Sequence, residues 1–476
     1  MEFKYSKNMD KDQEIEQLKA ALQEALSTIA QLNQRVQELE ARLSKDSHNS
    51  HLPPSSDRFS RQPKSLRKKS EKPSGGQKDH PGKHLKMVQT PDQIIVHTPE
   101  VCRWCQHDLS QEHSEKVSHR QVFDVPVPQV LVSEHHAHSK RCPVCRKLTA
   151  APFPQDVTAP VQYGPAIAAM AVYLSQVQLL PNRRVCQVME DLLGISLSVG
   201  SLHNWIARCA QVLCPIEQEI KTALQGSAVM HQDETGLYVA GKRHWMHVAC
   251  TQTLTHYGVH AKRGREAMDA IGIAPLFRGV SVHDGWVPYQ GYLCSHGLCN
   301  VHHLRELTFL EEEQQQIWAG ELKELLLQMK DAVADAKHRG QSALAPAVIA
   351  VFEAQYHAWL RQGDQLAPPD PPPTPGKRGR KKRSVIHCLL DRLRSQQGWV
   401  LAFLHDFTVP FDNSLAERDI RMVKVQQKVS GCFRSPTGAE AFCRIRGYLS
   451  TMHKQAHALL PLLEGTLAGY PVSPAF

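Results

Sequence analysis

Ser227-Ala-Val-Met-His-Gln-Asp-Glu-Thr-Gly236 is an apolar run that closes on a carboxylate. The pattern predicts a buried strand with Asp233 at its end and a glycine turn beyond. Gly279-Val-Ser-Val-His-Asp-Gly-Trp286 repeats the arrangement with Asp284, and Asp412-Asn-Ser-Leu-Ala-Glu-Arg-Asp-Ile-Arg421 reads as a polar helix carrying Glu417. Between the two aspartates, His244–Cys250 and Leu254–His260 read as second and third antiparallel strands, followed by a helix over Glu266 to Ile273. Leu298-Cys-Asn-Val301 reads as a fifth strand before a helix from His302. A single Asp-Gly is only a turn signal. Two acids at strand ends and a third on a later helix can converge on a pair of divalent cations, and hard oxygen ligands suit Mg2+ or Mn2+. That arrangement fits phosphodiester chemistry.

Several blocks, taken in order, resemble one known family. They are His231-Gln-Asp-Glu-Thr-Gly236, His283-Asp-Gly-Trp286 with Tyr289, Cys299-Asn-Val-His302 with Leu304-Arg305, Val409-Pro-Phe-Asp-Asn-Ser-Leu-Ala-Glu-Arg418, Arg421-Met-Val-Lys-Val-Gln-Gln-Lys-Val-Ser-Gly431 and Phe433-Arg-Ser435. They look like the catalytic blocks of the insertion sequence 66 transposases, and Ser47-His-Asn-Ser-His-Leu-Pro-Pro-Ser-Ser-Asp57 extends the likeness upstream. Asp412 stands where a second Asn is expected and Trp286 where Tyr is common; neither change removes a carboxylate. The resemblance implies a transposase of the DDE type. Such an enzyme binds the ends of its element and carries out Mg2+-dependent cleavage and strand transfer, with Asp233, Asp284 and Glu417 holding two ions. It also implies a ribonuclease H-like domain, which the strand–helix pattern fits, over residues 226–455 with a helical insertion at about 303–400. The partners implied are terminal inverted repeats, target DNA and small accessory proteins of the element. Cys299 and His302 match a Cys-x2-His pair that the family carries near its active site. Two ligands do not complete a zinc site, so they read as structural or orienting.

Asn413, Arg421 and Lys424 lie four, four and seven residues from Glu417 and should share its helix face, where they orient phosphates or pack the helix. The 476-residue chain carries a net charge of +9, and the location of that charge is informative. Ser44 to Lys86 holds 11 Lys/Arg against four Asp/Glu, Lys377 to Arg383 adds six basic residues and no acid, and the remainder is net negative. Lys64, Arg67, Lys68 and Lys69 in the first run and Lys377, Arg378, Arg380, Lys381, Lys382 and Arg383 in the second therefore read as DNA-backbone contacts. No apolar run approaches a membrane span and the N-terminus does not read as a signal peptide. Thirteen cysteines, only four of them in a paired pattern, suit a reducing compartment. The expected location is cytoplasmic and DNA-associated, with no membrane partner.

Ahead of the catalytic blocks the chain reads as separate modules. Ile15, Leu22, Ile29, Val36 and Leu43 alternate with Leu18, Ala25, Leu32 and Leu39 in a strict heptad, predicting a parallel two-stranded coiled coil over residues 10–45 and hence at least a homodimer. Residues 46–90 read as a basic Pro/Ser-rich linker. Cys102-x2-Cys105 and Cys142-x2-Cys145 predict a small zinc ribbon over residues 91–155, with one Zn2+ held by four thiolates and strands at Gln121–Val125 and Val130–Val132. Residues 160–225 read as a helical, helix-turn-helix-like segment. In it a first helix runs to Leu180, a second buries Val185, Val188, Met189 and Leu192, and Ser198 caps a third presenting Ser201, His203 and Asn204. Residues 456–476 read as a C-terminal tail. A non-catalytic DNA-binding regulator and a structure-specific nuclease are the competing functional readings; three carboxylates disfavour the first, and zipper, ribbon and insertion disfavour the second.

Overall fold

The computed structural model describes residues 3–43, 85–125, 128–370 and 383–476. The heptad segment is a single helix, α1 (Phe3–Leu43). Its apolar residues Ile15, Leu18, Leu22, Ile29, Leu32, Val36 and Leu39 are all exposed on this one chain. The basic linker positions Lys64, Arg67, Lys68 and Lys69 lie outside the described residues, as do Lys377, Arg378, Arg380, Lys381 and Lys382.

The two Cys-x2-Cys pairs form the same tight turn. Cys102 N donates to His107 O at 2.7 Å and Gln106 N to Cys102 O at 3.0 Å; Cys142 N donates to Lys147 O and Arg146 N to Cys142 O, both at 2.9 Å. Gln106 and Arg146 both take left-handed φ, 61° and 59°. The second turn is closed by antiparallel strands β1 (Ser139–Arg141) and β2 (Leu148–Ala150). The strands expected at Gln121–Val125 and Val130–Val132 do not form. Val122, Leu131 and Val132 stay exposed, so the apolar pattern there finds no layer to pack on, and an isolated strand has no stability of its own.

Helices α2 (Pro165–Gln176), α3 (Asn182–Leu193), α4 (Val199–Val212) and α5 (Cys214–Gln225) follow. Gly194 ends α3 in the left-handed conformation, and Ser198 caps α4 by accepting from Ser201 N. Two expectations fail here. The first helix stops at Gln176, because Leu179 turns to φ 61° and buries itself beside a later helix, where Ser430 Oγ donates to Leu179 O at 2.6 Å. Leu192 is exposed, and Leu193 packs on the core instead.

The central sheet comprises β3 (Val229–Val239), β4 (Lys242–Cys250), β5 (Thr255–His260), β6 (Val280–His283) and β7 (Ser295–Leu298), in the order β5-β4-β3-β6-β7. The first three strands form an antiparallel meander; β6 runs parallel to β3 and β7 parallel to β6. Helix α6 (Arg265–Ile271) connects β5 to β6. Strand β3 does not end at Asp233. It continues through Gly236, which lies against Arg243 and Trp245 of β4, and turns at Ala240 and Gly241, both at positive φ. The full-length pairing with β4 outweighs the turn preference of one glycine.

After β7 come α7 (Asn300–Gln314), α8 (Ile317–His338), α9 (Pro346–Leu366), α10 (Val385–Ser395), α11 (Gln397–Val400) and α12 (Ala402–His405). Helix α7 starts at Asn300, so Cys299 caps a helix rather than lying in a fifth strand. These helices share a core of their own around Trp318, Leu322, Leu326, Tyr356 and Leu390. Helix α13 (Ser414–Ser430) then returns to the sheet, packing Leu415, Ala416, Ile420 and Val423 on Leu237, Val239, Met246 and Val248. Helix α14 (Pro436–Lys454) crosses β5 so closely that a Cβ on Gly447 would stand 3.2 Å from Thr255 O. The expected tail instead contains α15 (Leu459–Ala468), which buries Leu462, Leu463 and Leu467 in the core that holds α2 and α4.

Candidate active site

Strand register places the first two carboxylates. The β3–β6 pairing runs from Val229↔Val280 to His231↔Val282. Continued two residues further, it sets Asp233 beside Asp284. Asp233 Oδ1 accepts from Glu234 N at 2.8 Å; Asp284 Oδ1 accepts from Trp286 N at 2.9 Å across a turn that uses Gly285 at φ 88°. Next door, Cys299 N donates to His283 O at 2.9 Å, so the end of β7 reaches the same edge of the sheet.

Glu417 arrives in the first turn of α13, and a buried polar network fixes where that turn sits. Asn413 is the N-terminal cap position and is 1% exposed. Its Oδ1 meets His231 Nδ1 at 2.9 Å, its Nδ2 donates to Gln232 O at 2.7 Å, and its backbone N donates to Cys299 Sγ at 3.2 Å. Asn300, also fully buried, donates from its backbone N to Phe411 O and from Nδ2 to Val400 O. Asn413 is thus a clamp between α13, β3 and the end of β7, the packing alternative of its two readings, with no surface left to orient a phosphate. Lys424 donates to Gly236 O at 2.6 Å and ties the next turns of α13 to β3. Arg421 is exposed and, with Arg305, acts electrostatically on Glu417.

The site concentrates negative charge: Asp233, Asp284 and Glu417 are half-buried and Glu234 is buried. Burial pushes the Asp233 carboxyl well above the usual range, and the nearby charges of Glu234, Asp284 and Glu417 push it further. Glu417 is raised mainly by burial, with Arg305 and Arg421 opposing. Glu234 points to the opposite face of β3 from Asp233, as alternation requires. There its Oε1 accepts from Arg263 Nε and Nη2 at 3.0 and 2.7 Å, and its Oε2 accepts from Tyr289 Oη at 2.5 Å. Arg263 is sandwiched between Trp286 and Trp245, at 4.1 and 4.9 Å from the ring centres. Cys299, His302 and Glu417 also come together, with their ligand atoms within 4.8 Å of one another. Burial and the Glu417 charge push the Cys299 thiol up to about 12.

The sequence singles out Asp233, Asp284 and Glu417 but does not show the network around them. His231, Glu234 and Asn300 all stand inside the quoted blocks, yet their partners lie up to 182 residues away. The zinc candidates are formed only pairwise: backbone amides within each turn lower the Cys102 and Cys142 thiols, but among the described residues the four sulfurs are not gathered into one cluster. Arg383, expected on DNA, is paired with Asp370 and Asp391 within the fold. Of the residues presented by α4, His203 Nε2 meets Asn182 Nδ2 at 3.1 Å, Ser201 Oγ is 3.0 Å from Ser198 Oγ, and Asn204 is exposed.

A meander of three strands joined to two parallel ones defines a mixed α/β protein; Asp233, Asp284 and Glu417 lie near enough to act on one another electrostatically, but among the described residues their oxygens are not gathered into one ligand group. The family model described as "Transposase IS66 family" matches residues 160–441, which spans all of the sheet and α13. The chain belongs to the IS66 transposase family. A second model, described as a family of unknown function (DUF6444), matches residues 6–86. No curated protein matches the chain. Family membership implies DNA binding and divalent-metal chemistry of the nuclease type. No helix among the described residues is long and apolar enough to cross a membrane.

Proposed function

We propose that this chain binds the ends of its insertion element and catalyses metal-dependent DNA cleavage and strand transfer. In this reading a ribonuclease H-like domain spans residues 226–455 and its catalytic carboxylates are Asp233, Asp284 and Glu417. The strand order β5-β4-β3-β6-β7, antiparallel then parallel, supports the fold reading. The observation that carries the function is electrostatic: the strongest charges acting on half-buried Asp233 are all negative, those of Glu234, Asp284 and Glu417. A cation is the counter-charge such a set fits, and carboxylate oxygens suit Mg2+ or Mn2+. A bound metal pair would supply activation of the attacking oxygen and neutralisation of the leaving one.

The chain's own residues position everything else. The parallel β3–β6 register, extended past its last pair His231↔Val282, supports Asp233 and Asp284 as neighbours. Asn413 and Lys424 fix the helix that brings Glu417. Arg421, exposed one turn along α13, and Arg305 are placed to meet a phosphate near Glu417. Strand transfer needs two ends held together, and α1 offers an exposed heptad stripe for a parallel homodimer. The paired cysteine turns are proposed to share one structural Zn2+, and the basic runs around Lys64–Lys69 and Lys377–Lys382 to grip the DNA backbone.

The test is a cleavage assay on element-end DNA with Mg2+, run beside binding measurements. Asp233→Asn, Asp284→Asn and Glu417→Gln should each bind DNA and fail to cut. An Asp233→Asn protein cutting at the parental rate would reject the assignment. A parent that binds ends but never cuts, whatever divalent ion or accessory protein is supplied, would favour the regulator.

A further inference from the structure

Cys299, His302 and Glu417 form the single group of three or more potential metal ligands brought together among the described residues. Sγ of Cys299 is 4.0 Å from Oε1 of Glu417, and every pair of donor atoms in the trio is within 4.8 Å. The placement is built by the fold. Cys299 stands where β7 gives way to α7, and His302 N donates to Cys299 O at 3.1 Å, so the two donors project from one strand-to-helix turn. Glu417 stands in the first turn of α13. The two helix starts are joined by Asn413 N donating to Cys299 Sγ and Asn300 N donating to Phe411 O. Neither join involves a flexible surface side chain: Cys299, Asn300 and Asn413 are each 1% exposed or less.

We propose that Cys299, His302 and Glu417 bind a zinc-class divalent ion, at a site chemically distinct from the all-oxygen Asp233–Asp284 pair. A thiolate, an imidazole and a carboxylate are the donor mixture that Zn2+ or Co2+ accepts, and one that Mg2+ avoids. Zinc bond lengths of about 2.0–2.3 Å put tetrahedral donors roughly 3.5 Å apart, a small contraction from the distances here. Binding displaces the Cys299 thiol proton to solvent. Three protein ligands leave one position open, as in zinc sites that take up a water or a substrate oxygen rather than in purely structural ones. Glu417 then belongs to two sites at once, a neighbour of Asp284 on one side and a zinc ligand on the other.

The inference goes beyond the reading above, because zinc uptake here does not depend on DNA cleavage. The experiment loads the full-length protein with excess zinc, removes free metal by gel filtration and counts zinc per chain. Cys299→Ser and His302→Ala should each lose one equivalent while circular dichroism and melting stay parental. Cobalt loading of the parent should give thiolate-to-cobalt absorption, part of which disappears in Cys299→Ser. Cys102→Ser with Cys142→Ser should leave that part in place. Folded Cys299→Ser and His302→Ala proteins with parental zinc content would overturn the proposal. Should Cys299→Ser fail to fold, the half-buried His302 decides: a parental zinc count in His302→Ala overturns the site. A parent that takes up this zinc yet cuts no element-end DNA with any divalent ion would reject the catalytic reading and leave this one standing.

Discussion

No described residue between 85 and 165 is buried, whereas β3 and its neighbours are packed on both faces. Both regions present potential metal ligands, but they hold them by different means. At the sheet edge, strand register and a buried asparagine fix the carboxylates before any ion arrives. In the cysteine module only backbone turns and one three-residue hairpin are formed, and the two thiol pairs stay apart among the described residues. The difference teaches where metal acts on folding and where on chemistry. On the proposed reading, a segment with so little core would depend on its Zn2+ for stability, while a site inside a sheet would tolerate the absence of its metal.

The largest effect should come from the rigid region. Removing one carboxylate charge forfeits several kcal/mol of transition-state stabilisation, roughly a thousandfold or more in rate. Asp233→Asn and Asp284→Asn should therefore abolish cleavage while leaving the fold intact by circular dichroism. Loss of fold in either variant would erase the contrast, since it would mean that the acids also hold the sheet together.

The weak region should respond in stability instead. Zinc removal, or Cys102→Ser with Cys142→Ser, should expose residues 91–155 to protease while the catalytic core melts at the parental temperature. A protease pattern unchanged by chelation would show that the module does not need metal. The exposed stripe of α1 offers a parallel test of a region unfinished on its own. Leu32→Pro should cost about 3 kcal/mol of helix stability and convert a dimer to monomer in sedimentation. A parent that is already monomeric would remove the zipper from the argument.

Much of the rigid region was legible in the sequence because its signals are local. Apolar runs ending in Asp233 and Asp284 mark strands, and strand alternation alone separates Asp233 from Glu234. What was not legible depends on distant partners. Gly236 looked like a turn because nothing local shows that Arg243 and Trp245 cover it within a longer hairpin. Leu179 looked like helix because its burial beside α13 is decided by residues some 250 positions later. Apolar stretches in the cysteine module failed for the opposite reason: the pattern was present and the packing surface was not.

Asn413 connects the two kinds of reading, since its position and a packing role were both open in the sequence but its partners were not. Asn413→Ala removes both side-chain bonds and leaves buried His231 and the Gln232 carbonyl unsatisfied. The expected cost is about 1–3 kcal/mol of stability, with a fall in cleavage rate because Glu417 follows one turn later. If the melting temperature falls and cleavage does not, the clamp supports the fold without positioning Glu417.

The smallest effect is a pH dependence, and it probes the charge cluster without any DNA. Asp233 has its folded, metal-free pKa raised above the ordinary 3.8 by burial and by its acidic neighbours. A raised carboxyl binds its proton more tightly folded than unfolded. The metal-free protein is then favoured below the ordinary carboxylate range, and that advantage is lost as pH rises through the raised value. Glu234 and Glu417 are shifted the same way, while Glu217 and Asp370 are lowered and act in the opposite sense. Total stability against pH therefore mixes signs, and the informative quantity is the difference between parent and Asp233→Asn. Urea unfolding without metal should show Asp233→Asn gaining on the parent as pH rises from the ordinary carboxylate range through the raised value. Added Mg2+ should close the gap by supplying the missing counter-charge to the parent alone. A gap that is flat with pH, or indifferent to Mg2+, would mean that the acids at this sheet edge are not the electrostatically strained set the geometry describes.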